Sequence, residues 1–201
     1  MGEKKKPDRT AVPDAEIVQL VLGGEIDAFD ELVRRTRRPA YRLARRITRN
    51  HEDADDVVQD SYVKAYRALA RFDPGRAFGP WFLTIVARSA LSQIRQRARR
   101  ATVPLDEAGA DGTTLAERIP DAPMDTAAMQ RLMDAEEALA KLSDEQRAVL
   151  ALRVDGDLPY GEIASALEIP VGTVMSRLAR AREALLEEVE KLRAERLRRS
   201  P

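Results

Sequence analysis

The chain has no cysteine, one histidine and one tryptophan among 201 residues, and aromatic residues make up only 4% of it. Without cysteine, disulfides and thiolate metal sites are excluded. A single histidine, His51, argues against histidine zinc sites and serine–histidine triads. The sequence indicates no cofactor. No apolar run is long enough for a signal peptide or a membrane span, so we expect a cytoplasmic protein without direct membrane insertion.

The net charge is zero, but the charges are segregated along the chain. Residues 34–49 hold eight arginines and no acid, and residues 61–100 hold nine bases against one acid. Residues 101–140 reverse the balance, with nine acids against two bases. Solvated helix faces explain isolated charges but not such blocks. The segregation predicts nucleic-acid binding combined with docking to a protein.

Helical periodicity dominates the first half of the chain. Residues 1–13, which are charged and contain two prolines, predict a disordered tail. Pro39 is expected to bend or interrupt the second helix. Helices are predicted over 14–22, from 26 through 47, over 52–71 and over 77–100.

The second half begins with residues 101–128, where proline, glycine and acids occur without a period. This composition predicts a flexible acidic linker. Four further helices are predicted over 129–142, 144–154, 159–167 and 170–189, and the pattern allows the last to run on through Arg199 as a charged, fraying tail. We therefore predict an all-α fold. Its parts are two small helical domains at 14–100 and 129–190 and a charged tail over 191–201.

The helix predicted over 52–71 carries a core stripe and a second, mixed stripe. The mixed stripe consists of Asp55, Gln59, Val63 and Tyr66, flanked by Asp56 and Asp60. Carboxylates, an amide and exposed apolar groups together suit docking against a basic partner helix. The alternative is a metal-dependent nuclease with ligands Asp53, Asp56 and Asp60. The helix dipole also favours such acids in a first turn without any metal.

The helix predicted over 77–100 carries Phe78 and Trp81 near its start and arginines farther along. Aromatic residues at such positions are most often core residues. Because arginines follow within a few turns, the pair also fits a platform on which unpaired bases stack.

Two short helices joined by Glu168-Ile169-Pro170 predict a helix-turn-helix in the second domain. The apolar residues of the second helix share one face. The side chains on its outer side are the expected readers of bases and phosphates. A plain helical bundle with a polar outer face is the alternative.

These residues resemble, in order, the two conserved domains of bacterial extracytoplasmic-function (ECF) sigma factors. The first domain is matched by EIDAFDEL (25–32), DADDVVQD (53–60) and RFD (71–73), together with Phe78 and Trp81. The second is matched by LS (142–143), QR (146–147), YGEIA (160–164), IPVGTV (169–174), SRL (176–178) and RAR (180–182).

The resemblance implies a non-enzymatic subunit of RNA polymerase, with an anti-sigma factor as a further partner. The first domain would bind core RNA polymerase through Asp55, Asp56, Gln59, Asp60, Val63 and Tyr66. It would hold the melted −10 promoter element through Phe78, Trp81, Arg88, Arg95 and Arg99. The second domain would read the duplex −35 element through Thr173, Ser176, Arg177, Arg180 and Arg182.

The sequence departs from the family pattern at several of these places. Met175 stands where relatives commonly carry lysine, and Glu168 occupies a turn position usually held by glycine. Gly79-Pro80 replaces a polar or basic pair, and Arg88 replaces an asparagine. The −35 preference and the choice of −10 base therefore stay open.

A different class of protein shares part of this pattern. A helix-turn-helix regulator that binds duplex DNA without polymerase would use residues 129–190 in the same way. It would not need the stripe around Gln59 or the helix around Trp81. The relative arrangement of the two domains does not follow from the sequence.

Overall fold

The structure, a computed structural model, describes residues 8–101 and 126–199. Within these ranges the all-α fold is confirmed, and most helix ends lie within three residues of the predicted ones. The chain continues in helical form through Pro39, so this residue does not interrupt its helix. The helices are α1 (Asp14–Leu22), α2 (Phe29–Thr48), α3 (His51–Ala68), α4 (Phe78–Ala101), α5 (Thr126–Lys141), α6 (Asp144–Val154), α7 (Tyr160–Leu167) and α8 (Val171–Arg199).

In the first half, α2, α3 and α4 pack on one another around a cluster of aromatic rings. Tyr62 of α3 stacks on Phe82 of α4 with 4.5 Å between ring centroids, and Phe78 stacks on Phe82 at 5.8 Å. The Tyr62 hydroxyl lies 3.1 Å from that of Thr36, and burial raises the pKa of the phenol. These contacts fix the inner face of α3 and leave its outer face to solvent.

The connection between α2 and α3 consists of two residues, Arg49 and Asn50, which end one helix and begin the next. Arg49 ends α2 in the left-handed region at φ 62°. The Asn50 side chain then accepts a 2.9 Å hydrogen bond from the Asp53 N–H, which satisfies one free donor at the start of α3. The acids that open α3 therefore lie at its positive end.

The prediction of a disordered tail over 1–13 differs from the structure at 8–13. The guanidinium of Arg35 in α2 donates to the carbonyl oxygens of Arg9 and Val12, each at 2.8 Å. One side chain thus satisfies several backbone acceptors that have no helix or sheet partner. Residues 1–7 lie outside the described part of the chain.

Glu31 in turn holds Arg35, whose Nε lies 2.7 Å from a carboxylate oxygen. The pKa of Glu31 is lowered to about 2, chiefly by the hydrogen bond from Arg34 and further by the hydrogen bond from Arg35. Burial acts in the opposite direction and raises it. At pH values above 4.5, the ordinary pKa of glutamate, the ionised Glu31 carboxylate therefore contributes its full stabilisation to these contacts. That contribution is lost as the pH falls toward about 2.

The second half contains the predicted helix-turn-helix in α7 and α8. Glu168 ends α7 with a left-handed backbone at φ 55°, and Pro170 precedes α8. Val174, Leu178 and Ala181 of α8 are buried. Helix α8 continues to Arg199, so the last predicted helix runs on into the charged tail.

The two halves lie against each other, with α2 and α4 contacting α6 and α4 also contacting α7. Their buried apolar residues form one continuous cluster. Most of the acidic linker predicted over 101–128 lies outside the described residues. No helix in the described ranges has the length and apolar character needed to cross a bilayer.

Candidate nucleic-acid and protein interfaces

The mixed stripe on α3 lies on its outer side, as its spacing predicts. Val63 and Tyr66 are 48% and 42% exposed, which is high for apolar side chains in the middle of a packed bundle. The Tyr66 ring is anchored edge-on against Phe29 with 5.5 Å between centroids. Asp56, Gln59 and Asp60 are exposed beside them, and Asp55 is half-buried. The surface combines apolar area with negative charge.

The three carboxylates of the metal-site alternative do not face one another. Asp53 accepts hydrogen bonds from Gln93 at 2.9 Å and Arg97 at 2.6 Å, both on α4. Asp60 lies 2.5 Å from Lys64, one turn farther along α3. Among the described residues, no group of three or more carboxylate or imidazole side chains is placed to hold a metal ion.

Trp81, Arg88, Arg95 and Arg99 lie along one side of α4. Successive positions are separated by seven, seven and four residues, and seven residues make about two turns of an α-helix. Arg95 and Arg99 are exposed near the end of the helix. The line therefore has one aromatic ring at its start and cations along the rest, the pattern that a single strand of nucleic acid needs.

Phe78 is a correction to the predicted site. Its side chain is fully buried, and its ring packs against Phe72 and Phe82 at 5.8 Å between centroids. A ring enclosed in this way has no face available to a base. Phe78 is therefore a core residue in this structure.

Trp81 differs from Phe78 because it is only half-buried. Its indole lies 5.1 Å from the Phe72 ring and 5.4 Å from the Phe78 ring, measured between centroids. The two buried rings hold the indole at the boundary between core and surface. Rigid support of this kind lowers the entropy lost when a base stacks on it.

Arg88, also predicted to contact DNA, is engaged within the protein. Its Nε donates to the Ala166 carbonyl at 2.5 Å and its Nη2 to the Ser165 carbonyl at 2.7 Å. Both carbonyls belong to the last turn of α7. The arrangement was not predicted, since no sequence pattern relates residues 77 or 78 positions apart.

On α8, the structure brings together four of the five predicted −35 residues: Thr173, Ser176, Arg177 and Arg180. They lie together on one side of α8, within about 100° of one another around the helix and next to the buried face of Val174. Arg182 does not join them, because two residues beyond Arg180 correspond to about 200° around the helix. Neither Arg177 nor Arg180 forms a hydrogen bond or ion pair with any described residue, and Arg180 is exposed.

Sequence reasoning missed the tie between α3 and α4. The sequence presents Asp53 as a possible metal ligand within the motif at 53–60, and Arg97 as one base of the block over 61–100. The two are 44 residues apart in the chain and 2.6 Å apart in space. The sequence indicates only that α3 carries acids and α4 carries bases. It does not indicate that Asp53 and Arg97 in particular pair.

Comparison with known proteins agrees with this layout. Residues 32–100 match the family model of Sigma-70 region 2, and residues 132–185 match that of Sigma-70 region 4. The ECF RNA polymerase sigma factor SigM of Mycobacterium tuberculosis is 36% identical over 86% of this chain and 82% of its own length.

The chain belongs to the ECF RNA polymerase sigma factors. Another relative, the ECF sigma factor SigW of Bacillus subtilis, is 30% identical over 87% of this sigma factor and 96% of SigW. Among solved structures, the sigma factor RpoE, in complex with the anti-sigma factor NepR from Bartonella quintana, is similar with a TM-score of 0.63. The two are 25% identical, and the match covers 81% of this chain and 96% of that one.

Membership in the family establishes promoter-specific transcription initiation by RNA polymerase as the function of this sigma factor. The match to region 2 decides against a helix-turn-helix regulator that works without polymerase, since such a protein needs only the second half. The family acts in initiation rather than as a catalyst in itself.

Proposed function

We propose that the outer stripe of α3 is the surface that docks on core RNA polymerase. Asp56 and Gln59 form its exposed polar centre, and Val63 and Tyr66 supply apolar area next to it. The observation that carries this assignment is that exposed apolar side chains share one helix face with Asp56, an exposed acid without an ion-pair partner among the described residues. A basic helix of the partner would satisfy both.

We further propose that α4 holds the melted −10 element. Trp81 would stack on an unpaired base, while Arg88, Arg95 and Arg99 contact phosphates or base edges. Phe78 acts only through the core, by supporting Trp81. Residues 14–100 would form this polymerase-binding and −10-binding domain.

The outer face of α8 would read the −35 element in the major groove. Thr173, Ser176, Arg177 and Arg180 lie near the start of the helix, where a recognition helix contacts base edges. Arg182 would reach at most a flanking phosphate. In this division residues 129–190 form the second domain, 101–128 the linker, and 1–13 and 191–201 the tails.

An anti-sigma factor is a further proposed partner. The structurally similar RpoE is in complex with one, NepR. We propose that this sigma factor works in the cytoplasm without a cofactor or catalytic activity of its own and is held inactive by such a partner.

The docking surface is tested by Asp56→Arg, which reverses the charge at the centre of the stripe. We expect core RNA polymerase to be lost in a pull-down and run-off transcription to fall at least tenfold, because like charges would then face each other. Glu187→Arg, the same change at an exposed acid on α8, is the matched control and should retain polymerase. Retention of polymerase by Asp56→Arg would refute the assignment.

A further inference from the structure

Ion pairs cross the boundary between the two halves, and three of them, each between described residues, have the same polarity. In each, the first half supplies an arginine and the second half an acid. The pairs are Arg46–Asp155 at 2.7 Å, Arg76–Glu162 at 3.0 Å and Arg88–Glu168 at 3.5 Å. The second half thus presents negative charge to a basic surface, as DNA would.

Arg88 makes the most specific of these contacts. The carbonyls of Ser165 and Ala166 lie in the last turn of α7, where a helix has acceptors without intrahelical donors and a partial negative charge. The residue that would ordinarily donate to Ala166 is Pro170, which has no N–H. The Arg88 guanidinium supplies the missing donors to both carbonyls, at 2.5 and 2.7 Å.

Glu168 adds a carboxylate to the same place. It follows α7 directly, and its Oε1 lies 3.5 Å from Arg88 Nη2. Its φ of 55° is one that glycine adopts without strain, so the backbone does not favour glutamate there. Arg88 and Glu168 thus meet across the boundary between the two halves.

We propose that the end of α7 masks part of the −10 surface in the free sigma factor by holding Arg88, and that promoter binding requires its release. The inference rests on the proposed placement of the −10 strand along α4. Arg88 and Glu168 are 51% and 78% exposed, so water and salt reach the contact. A contact of this kind is weak and reversible, which suits a mask that phosphates displace.

The position of the two halves is measurable because the chain contains no cysteine. Gln19→Cys on α1 and Glu187→Cys on α8 place two dyes at exposed sites away from the contact. Single-molecule energy transfer on the free, full-length protein should show a dominant compact population at low ionic strength. Added salt should reduce that population.

Arg88→Ala should lower the ratio of compact to open molecules most, and Glu168→Gly about two- to fivefold, the range of an exposed ion pair. Arg95→Ala removes an exposed arginine on the same helix that forms no hydrogen bond or ion pair with any described residue, and it should leave the ratio unchanged. Glu168→Gly also suits the backbone at φ 55°, so its unfolding temperature should not fall. An unchanged ratio in Arg88→Ala would overturn the mask.

The functional step is tested with Glu168→Gly, which leaves every proposed DNA-contacting side chain in place. Open complexes with core polymerase should form about two- to fivefold faster than with the unmodified protein. If the halves open but the rate is unchanged, release of Arg88 does not limit promoter binding and the inference is wrong. Failure of the −10 assignment itself is recognised separately, by a Trp81→Ala variant that forms open complexes at the normal rate.

Discussion

The two helices proposed to contact promoter DNA, α4 and α8, carry similar arginines in very different surroundings. On α4, Arg88 is held by α7 and Arg97 by Asp53. On α8, Arg177 and Arg180 have no hydrogen-bond or ion-pair partner among the described residues. DNA contact by Arg88 must therefore replace protein contacts, whereas contact by Arg177 and Arg180 need only displace water and ions.

The difference follows from where each helix lies. Helix α4 packs against α2 and α3 and also contacts α6 and α7 of the second half. Helix α8 contacts α5, α6 and α7, and on it Arg180 is exposed and Arg177 is half-buried. Arginines on the two helices thus differ in how freely they can contact DNA, because the fold engages Arg88 of α4 and leaves Arg180 of α8 exposed.

The largest effect is expected on α8. The double variant Arg177→Ala/Arg180→Ala removes two unpaired cations from the recognition face, each worth about 1–3 kcal/mol if it contacts a base. Binding of holoenzyme to a mapped promoter should fall by about 100-fold or more, with a shallower salt dependence. Fluorescence anisotropy across a salt series measures both quantities.

Arg182→Ala is the matched control for that experiment, because the helix turns this exposed arginine away from the other two. It should weaken binding much less than either single variant. An effect of Arg182→Ala equal to that of Arg180→Ala would show that the face defined here is misplaced.

On α4 the most informative substitution is at Trp81, the aromatic residue near the start of the helix. Trp81→Ala should slow open-complex formation by about tenfold or more, since stacking of one base on an aromatic ring is worth about 1–3 kcal/mol. Its affinity for core polymerase should change little. Trp81→Phe, which keeps a ring, should restore part of the rate.

Permanganate footprinting and polymerase pull-down separate these two steps. Equal losses of melting and of polymerase binding in Trp81→Ala would assign the indole to the core, together with Phe72 and Phe78.

The smallest effect is expected from releasing α4 from α3. Asp53→Ala removes the acceptor of Gln93 and Arg97 and should lower the free energy of unfolding by about 1 kcal/mol, because the pair with Arg97 is half exposed. Urea denaturation measures it. Glu52→Ala, in the same first turn and exposed, controls for the helix dipole and should cost less.

Much of the architecture was predictable because local chemistry decides it. Helix α6 begins at Asp144 as predicted, because Ser143 and Gln146 form a capping box there. Helix α1 ends at Leu22 as predicted, directly before Gly23-Gly24, and the periodicity of α3 distinguishes its buried face from its exposed stripe. In each case the signal lies within a few residues of the feature that it determines.

The errors concern contacts between distant segments. Phe78 and Trp81 are three residues apart, yet Phe78 is fully buried among Phe29, Phe72 and Phe82 whereas Trp81 reaches the surface. Residues 8–13 are held by distant groups, since Arg35 of α2 donates to their carbonyls and Glu25 pairs with Arg9. No local pattern encodes such neighbours.

The sequence by itself determined the helices, the helix-turn-helix and the family, since all of these depend on periodicity, capping and short motifs in order. Only the tertiary structure decided which of the similar aromatic and arginine side chains are free to contact a partner. It buried Phe78, tied Arg97 to Asp53 and placed Arg88 at the end of α7, while Arg177 and Arg180 remained unpaired. Availability is set by what packs against a residue, and packing partners come from segments far away in the chain.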